Sequence, residues 1–200
     1  RYANEYRVKT IVLIARFPLY LYGNTYDNGE GGIERKGLFS VDLVTLSNEE
    51  NSSNERDRIR RVLKRYRTDI EKLTQKYNVI VLSPTPEVGW YVPSHYWKLS
   101  RKLNNFSISN NVNITHDYDS YLNRTKEFME MLSSIENDRL YVFPIHTLFC
   151  NHYNRRCRAN FGKNLLYRDS DHLTPYAAKL VADDFVKFYF EQLEKTALNK

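Results

Sequence analysis

Apolar residues recur along this chain in two rhythms, and the alternation between them predicts its architecture. Val8 to Phe17 (VKTIVLIARF), Asn78 to Ser83 (NVIVLS) and Arg139 to Pro144 (RLYVFP) are short, β-branched and almost continuously apolar. Such runs read as parallel strands buried on both faces, since no solvent side interrupts them. The first reads as the central strand. Between them the spacing turns helical. Glu55 to Tyr77 sets Ile59, Val62, Leu63, Tyr66, Ile70, Leu73 and Tyr77 on one stripe, with Asn54 placed to cap it. Tyr118 to Ile135 repeats the pattern through Leu122, Thr125, Phe128, Met129, Leu132 and Ile135. A further helix is expected over Pro93 to Leu103, and Thr174 to Thr196 closes the chain as another. Pro18 to Asn54 reads as a long irregular excursion, with Gly29, Gly31 and Gly32 near its tip and a short strand at Leu38 to Leu46.

The order β, α, β, α, β, α predicts a three-layer α/β/α sandwich: a parallel sheet, right-handed crossovers and helices on both faces. Sites in such sheets form outside the carboxyl ends of the strands. Ala15-Arg16-Phe17, Ser83-Pro84-Thr85 and a loop at Asp169 all fall at that edge.

Composition narrows the class. Two hundred residues, 42% hydrophobic and 27% charged, suit one domain with one core, here residues 1–200. The longest aliphatic run, Ile11 to Ala15, is far too short to span a bilayer. The chain opens on Arg1 just ahead of a strand and shows no signal peptide, which reads as a fragment of something longer, truncated at its N-terminus. The net charge of +6 favours anionic partners. Much of the excess sits on one helix, where Arg56, Arg58, Arg60, Arg61, Lys64, Arg65 and Arg67 interleave with Glu55, Asp57, Asp69 and Glu71. Mixed signs of this kind read as a solvated outer face. No nucleic-acid motif accompanies them, so nucleic acid is not expected as a partner.

The candidate chemistry lies in Asp169-Ser170-Asp171-His172-Leu173-Thr174-Pro175. Histidine titrates near neutrality, so it can take a proton from a hydroxyl and pass it on. Asp169, three residues earlier, can fold back onto Nδ1, fix the tautomer and stabilise the imidazolium. Thr174 suits an N-cap and Pro175 a first helical position, so a rigid element would hold the loop. The bland alternative is a structural loop in which Asp171 or Thr174 caps the helix. No Gly-Asp-Ser or Gly-x-Ser-x-Gly occurs in the 200 residues. Ser83 ends a strand, but Pro84 after it has no N–H to offer an oxyanion. A metal site at Asp169, Asp171 and His172 has too few ligands for hydrolytic chemistry. Neither a metal nor a cofactor is expected.

Cys150 and Cys157 lie in one loop. They read as a disulfide or, with His146 and His152, as zinc ligands; the spacing fits no common zinc pattern, which favours the disulfide. Trp90, Tyr91, Tyr96 and Trp97 can face a sugar ring or, for two of the four, the core. His95 and His116 read as surface or satisfied histidines.

Four segments carry a family resemblance: VKTIVLIARFPLY (Val8 to Tyr20), NVIVLSPTPEVGWYVP (Asn78 to Pro93), FCNHYNRRC (Phe149 to Cys157) and LYRDSDHLTPYAAKLVA (Leu166 to Ala182). In this order they resemble the SGNH hydrolase domain fused to membrane-bound acyltransferases of the acyltransferase type 3 family. The resemblance implies a flavodoxin-like α/β/α fold and transfer of acyl groups, usually acetyl, to carbohydrate hydroxyls. It implies as partners a membrane acyltransferase domain in the same parent chain and a carbohydrate acceptor. It implies an extracytoplasmic location, where a disulfide persists. Asp169 and His172 match the family's final block directly, whereas Arg16 matches its third block, an oxyanion or substrate contact, only loosely. The family's Gly-Asp-Ser block is missing, so the serine is expected outside this chain. The alternatives are a non-catalytic carbohydrate-binding or docking module and a carbohydrate esterase.

Overall fold

A computed structural model describes residues 6–23, 26–34, 54–103 and 112–198; the strand expected at Leu38 to Leu46 lies outside them. The fold is mixed α/β with a parallel sheet. The chain divides into two compact units, one of Arg1–Thr25, Arg35–Pro84 and Leu122–Pro144, the other of Tyr26–Glu34, Thr85–Tyr121 and Ile145–Lys200.

The first unit holds the parallel sheet. Strand β1 (Thr10–Leu13) pairs with β2 (Asn78–Leu82) from Thr10↔Asn78 onward. On its other side β2 pairs with β4 (Leu140–Phe143) from Val79↔Leu140 onward. The central strand is therefore β2, whose Val79 to Leu82 are all buried. This corrects the reading of the first apolar run. Among the described strands β1 has only β2 beside it, and Val12 is 44% exposed and Ile14 67%. A β-branched run suits an edge as well as a centre, since its neighbours decide its burial.

Helix α1 (Phe17–Tyr22) corrects the expected irregular excursion at its start. Pro18 is preset for the first turn, and Gly23, at φ 66, ends the helix by donating its N–H to the Leu19 carbonyl. Helix α2 (Glu55–Thr74) begins where Asn54 accepts from the Arg56 N–H at 3.0 Å. Its Ile59, Val62 and Ile70 enter the core with Phe17, Leu21, Val79, Val81, Phe128 and Leu132. Phe17 stacks on Phe128 at 4.1 Å, and Tyr66 meets both rings edge-on. The basic residues of α2 are extensively paired: Arg60 with Asp57, Arg65 with Asp69, Arg67 with Glu71, Arg56 with Glu127. Arg58 departs from the solvated pattern. It is buried, binds Glu55 and donates to the Leu21 carbonyl, satisfying a buried carbonyl in the last turn of α1.

The second unit contains helix α3 (Val92–Leu103), a 3₁₀ turn (Ile145–Leu148) and five residue pairs of antiparallel ribbon. Helix α4 (Tyr118–Ser133) gives its first turn to this unit. Strand β6 (Arg156–Arg158) lies between β3 (Thr115–Asp117) and β5 (Cys150–Asn151). Cys150 and Cys157 face each other across β5 and β6 and form a disulfide. A hairpin of β7 (Asn160–Phe161) and β8 (Asn164–Leu165) follows, turning through Gly162 at φ 55. Buried Asn160 ties it down, accepting from the Ile114 N–H and donating to the Val112 and Gly162 carbonyls. Helix α5 (Pro175–Leu198) closes the unit.

His116, opposite Cys157, is fully buried, and among the described residues neither ring nitrogen has a hydrogen-bond partner. It is thus not a surface histidine, and the described residues do not satisfy its ring. The Asp117 backbone approaches the ring without meeting hydrogen-bond geometry. Burial first, and then the Arg156 guanidinium, lower its pKa to about 4, against weaker opposition from Glu30 and Asp117.

Candidate active site

The Asp169 loop is closed at its neck before any of its side chains contribute. Tyr167, fully buried, bridges Leu173, and the Arg168 N–H donates to the His172 carbonyl at 2.9 Å. Thr174 anchors the exit, donating through Oγ1 to the Leu165 carbonyl and accepting from the Ala177 N–H at 3.2 Å. That second bond is the expected N-cap of α5.

Within the neck, Asp169 divides its two oxygens. Oδ1 accepts the backbone N–H groups of Asp171 (3.0 Å) and His172 (2.7 Å), which folds the turn. Oδ2 faces His172 Nδ1 at 2.9 Å. Partial burial pushes the Asp169 pKa up, but the two N–H groups and the imidazole outweigh it and hold the carboxyl below its ordinary value. An ionised carboxylate only accepts, so Nδ1 carries a proton, and in the neutral ring the lone pair then lies on Nε2. The His172 side chain is 62% exposed, so that lone pair is open to a reactant. Asp171 adds a second carboxylate 3.6 Å from Nδ1 and accepts from Ser170 Oγ at 3.1 Å. Such a pair can accept a proton at Nε2 and stabilise the resulting imidazolium.

Sequence reasoning missed what supports the loop. The Val88 N–H donates to the Ser170 carbonyl at 3.0 Å and the Val92 N–H to the Asp169 carbonyl at 3.2 Å. Val88 is in turn held by buried Asn28, whose Nδ2 donates to the Val88 carbonyl at 2.8 Å. Asn28 Oδ1 accepts the N–H groups of Glu30 and Gly32, both at 2.8 Å. Gly32 and Gly89 let the segments approach: a Cβ on Gly89 would lie 2.4 Å from the Gly32 carbonyl oxygen. The signal was present in the glycines of NGEGG and in Gly89, which needs its observed φ of 80.

The other candidates fall as follows. Arg16 follows β1, and its carbonyl accepts the Leu19 N–H as α1 opens. Ser83 is buried, with its N–H bound to the Phe143 carbonyl. The cysteines are joined, so they do not ligate zinc with His146 and His152. Instead His146 stacks on Tyr121 at 5.2 Å. None of the four aromatics is fully buried: Tyr91 and Trp97 are exposed, while Trp90 stacks on His95 at 4.5 Å. Ligand atoms of Asp169, Asp171 and His172 lie within 4.8 Å of one another. Those of Asp169 are engaged by the turn and by Nδ1, so the trio coheres without an ion. No helix among the described residues is long and apolar enough to cross a membrane.

The family model described as "SGNH domain (fused to AT3 domains)" matches residues 1–187. No curated protein and no solved structure matches the chain.

Proposed function

The chain belongs to the family of SGNH domains fused to AT3 domains, and from that membership we propose that it completes acyl transfer to a carbohydrate hydroxyl. The observation that supports this most is the 2.9 Å contact between His172 Nδ1 and an Asp169 oxygen, beside an exposed imidazole. The 200 residues contain no Gly-Asp-Ser, so the proposal assigns the nucleophilic serine to a segment beyond them. That serine attacks the acyl carbonyl carbon of the donor while His172 Nε2 takes its proton. Collapse of the tetrahedral adduct expels the donor's leaving group, which departs with that proton. The acceptor hydroxyl then attacks the acyl-serine and passes its proton through His172 to the departing serine oxygen. Asp169 holds the tautomer throughout, and Arg16 is proposed as an oxyanion or substrate contact. The acyl group is proposed to be acetyl and its source the membrane acyltransferase domain of the parent chain, on the extracytoplasmic side.

In the parent protein, His172→Ala and Asp169→Asn, which keeps an oxygen for the two turn N–H groups, are each expected to lower transfer on the order of 10⁴-fold with folding retained. Transfer at the wild-type rate by folded His172→Ala would overturn the proposal and leave a docking module.

A further inference from the structure

The disulfide ribbon carries an open cleft of about 280 Å³ between Thr147–Tyr153 and the residues Arg158 and Phe161. Its rim displays an aromatic ring to solvent: Tyr153 is 86% exposed and packs on His152 with centroids 3.8 Å apart. The backbone that carries the ring is ordered by its own turn. Asn151 Oδ1 accepts the N–H groups of Tyr153 and Asn154, Asn154 Oδ1 accepts that of Arg156, and the disulfide ties the base. The same cleft is lined by Arg158, exposed and set over the Phe161 ring at 5.9 Å. Its neighbours Arg155 and Arg156 are neutralised by Asp119 and Glu30, whereas Arg158 has no carboxylate partner among the described residues.

Aromatic faces beside a guanidinium that has no carboxylate partner among the described residues suit a small, flat ligand with an apolar face, hydroxyls and an anionic group. The cleft has room for about one such ring. We propose that it is a subsite for one sugar ring bearing an anionic substituent, stacked on Tyr153 and paired with Arg158. The ring is a unit of the acceptor glycan, an assignment that rests on the acyl-transfer reading of Asp169 and His172. The scaffold links the two places. Phe149 in the cleft packs on Tyr167 at 5.9 Å, two residues before Asp169. Phe161 pairs with Asn164 in the hairpin that leads into the same loop.

The test is binding of glucuronic acid, glucose 6-phosphate and glucose to the purified chain, followed by NMR of the Tyr153 ring. At least one anionic sugar is expected to bind about tenfold more tightly than glucose. The ratio of the two anionic affinities then names the source, carboxylate or phosphate. Tyr153→Ala is expected to weaken every sugar about tenfold, and Arg158→Gln to erase only the preference for charge. Several results would overturn the subsite. They are no saturable binding at about 50 mM, glucose bound as well as both anionic sugars, affinities unmoved by Tyr153→Ala, or preference for a short oligonucleotide. His172→Ala should leave all these affinities unchanged. A failed transfer experiment with that variant therefore refutes the dyad alone, and a failed binding experiment the subsite alone.

Discussion

Acidification should destabilise the disulfide-bearing unit through His116 well before most carboxylates titrate. In the unfolded chain an imidazole titrates near 6.5, whereas the buried ring of His116 holds to about 4. Between those values the unfolded state binds the extra proton, so stability is complete above pH 6.5, falls as pH drops and levels off below about 4. Over that interval, at about 1.4 kcal/mol per pH unit, the loss amounts to about 3 kcal/mol. Three charged groups face the ring: Arg156 opposes the charged form, and Glu30 and Asp117 favour it too weakly to offset burial. The assay is urea unfolding at pH 7 and pH 4.5, followed by circular dichroism, for the wild type and His116→Leu. Carboxylates contribute equally to both proteins, so the difference between their pH dependences isolates the imidazole. The leucine variant should lose about 2 to 3 kcal/mol less on acidification. Equal losses in both, or an imidazole resonance of His116 titrating near 6.5, would refute the reasoning.

Three further outcomes follow from the same geometry. Asn28→Ala strands the Val88 carbonyl and two N–H groups, and should cost about 2 to 4 kcal/mol in urea unfolding while speeding amide exchange at Val88; unchanged exchange would contradict the clamp. Gly89→Ala drives a Cβ against the Gly32 carbonyl at positive φ and should cost more than about 2 kcal/mol, whereas Gly162→Ala, with open space around it, should cost about 1 kcal/mol. Equal costs would show that contact is not the cause. Reducing Cys150–Cys157 should remove about 2 to 3 kcal/mol of stability, and intact mass should show two hydrogens gained; two free thiols before reduction would contradict the pairing.

Features encoded within a few residues were legible in the sequence. Asn54 as cap, the Ile59–Val62–Ile70 stripe, Thr174 before Pro175, and the return of Asp169 onto His172 all depend on spacing alone. Burial of β1 was not legible, because TIVL is the same tetrapeptide whether one strand or two lie beside it. The ribbon of Thr115–Asp117 with Arg156–Arg158 escaped notice for a related reason. Three-residue strands rich in charge carry no periodicity, and their pairing spans some forty residues of chain. Helix α1 was readable from Pro18 and Gly23, yet six residues are too few for a stripe to declare itself. Asn28 gave no sign of its importance, since a turn asparagine and a buried clamp look alike until Val88 is brought to it.

The divided carboxylate of Asp169 bears on how such domains age. One oxygen folds the turn and the other orients His172, so the aspartate answers to two selective pressures and the histidine to one. Under the proposed transfer role, a lineage that abandoned it would shed His172 freely while the turn went on demanding Asp169. In a survey of such domains, the aspartate alone would then mark the turn, and only the surviving pair would be compatible with the proposed transfer.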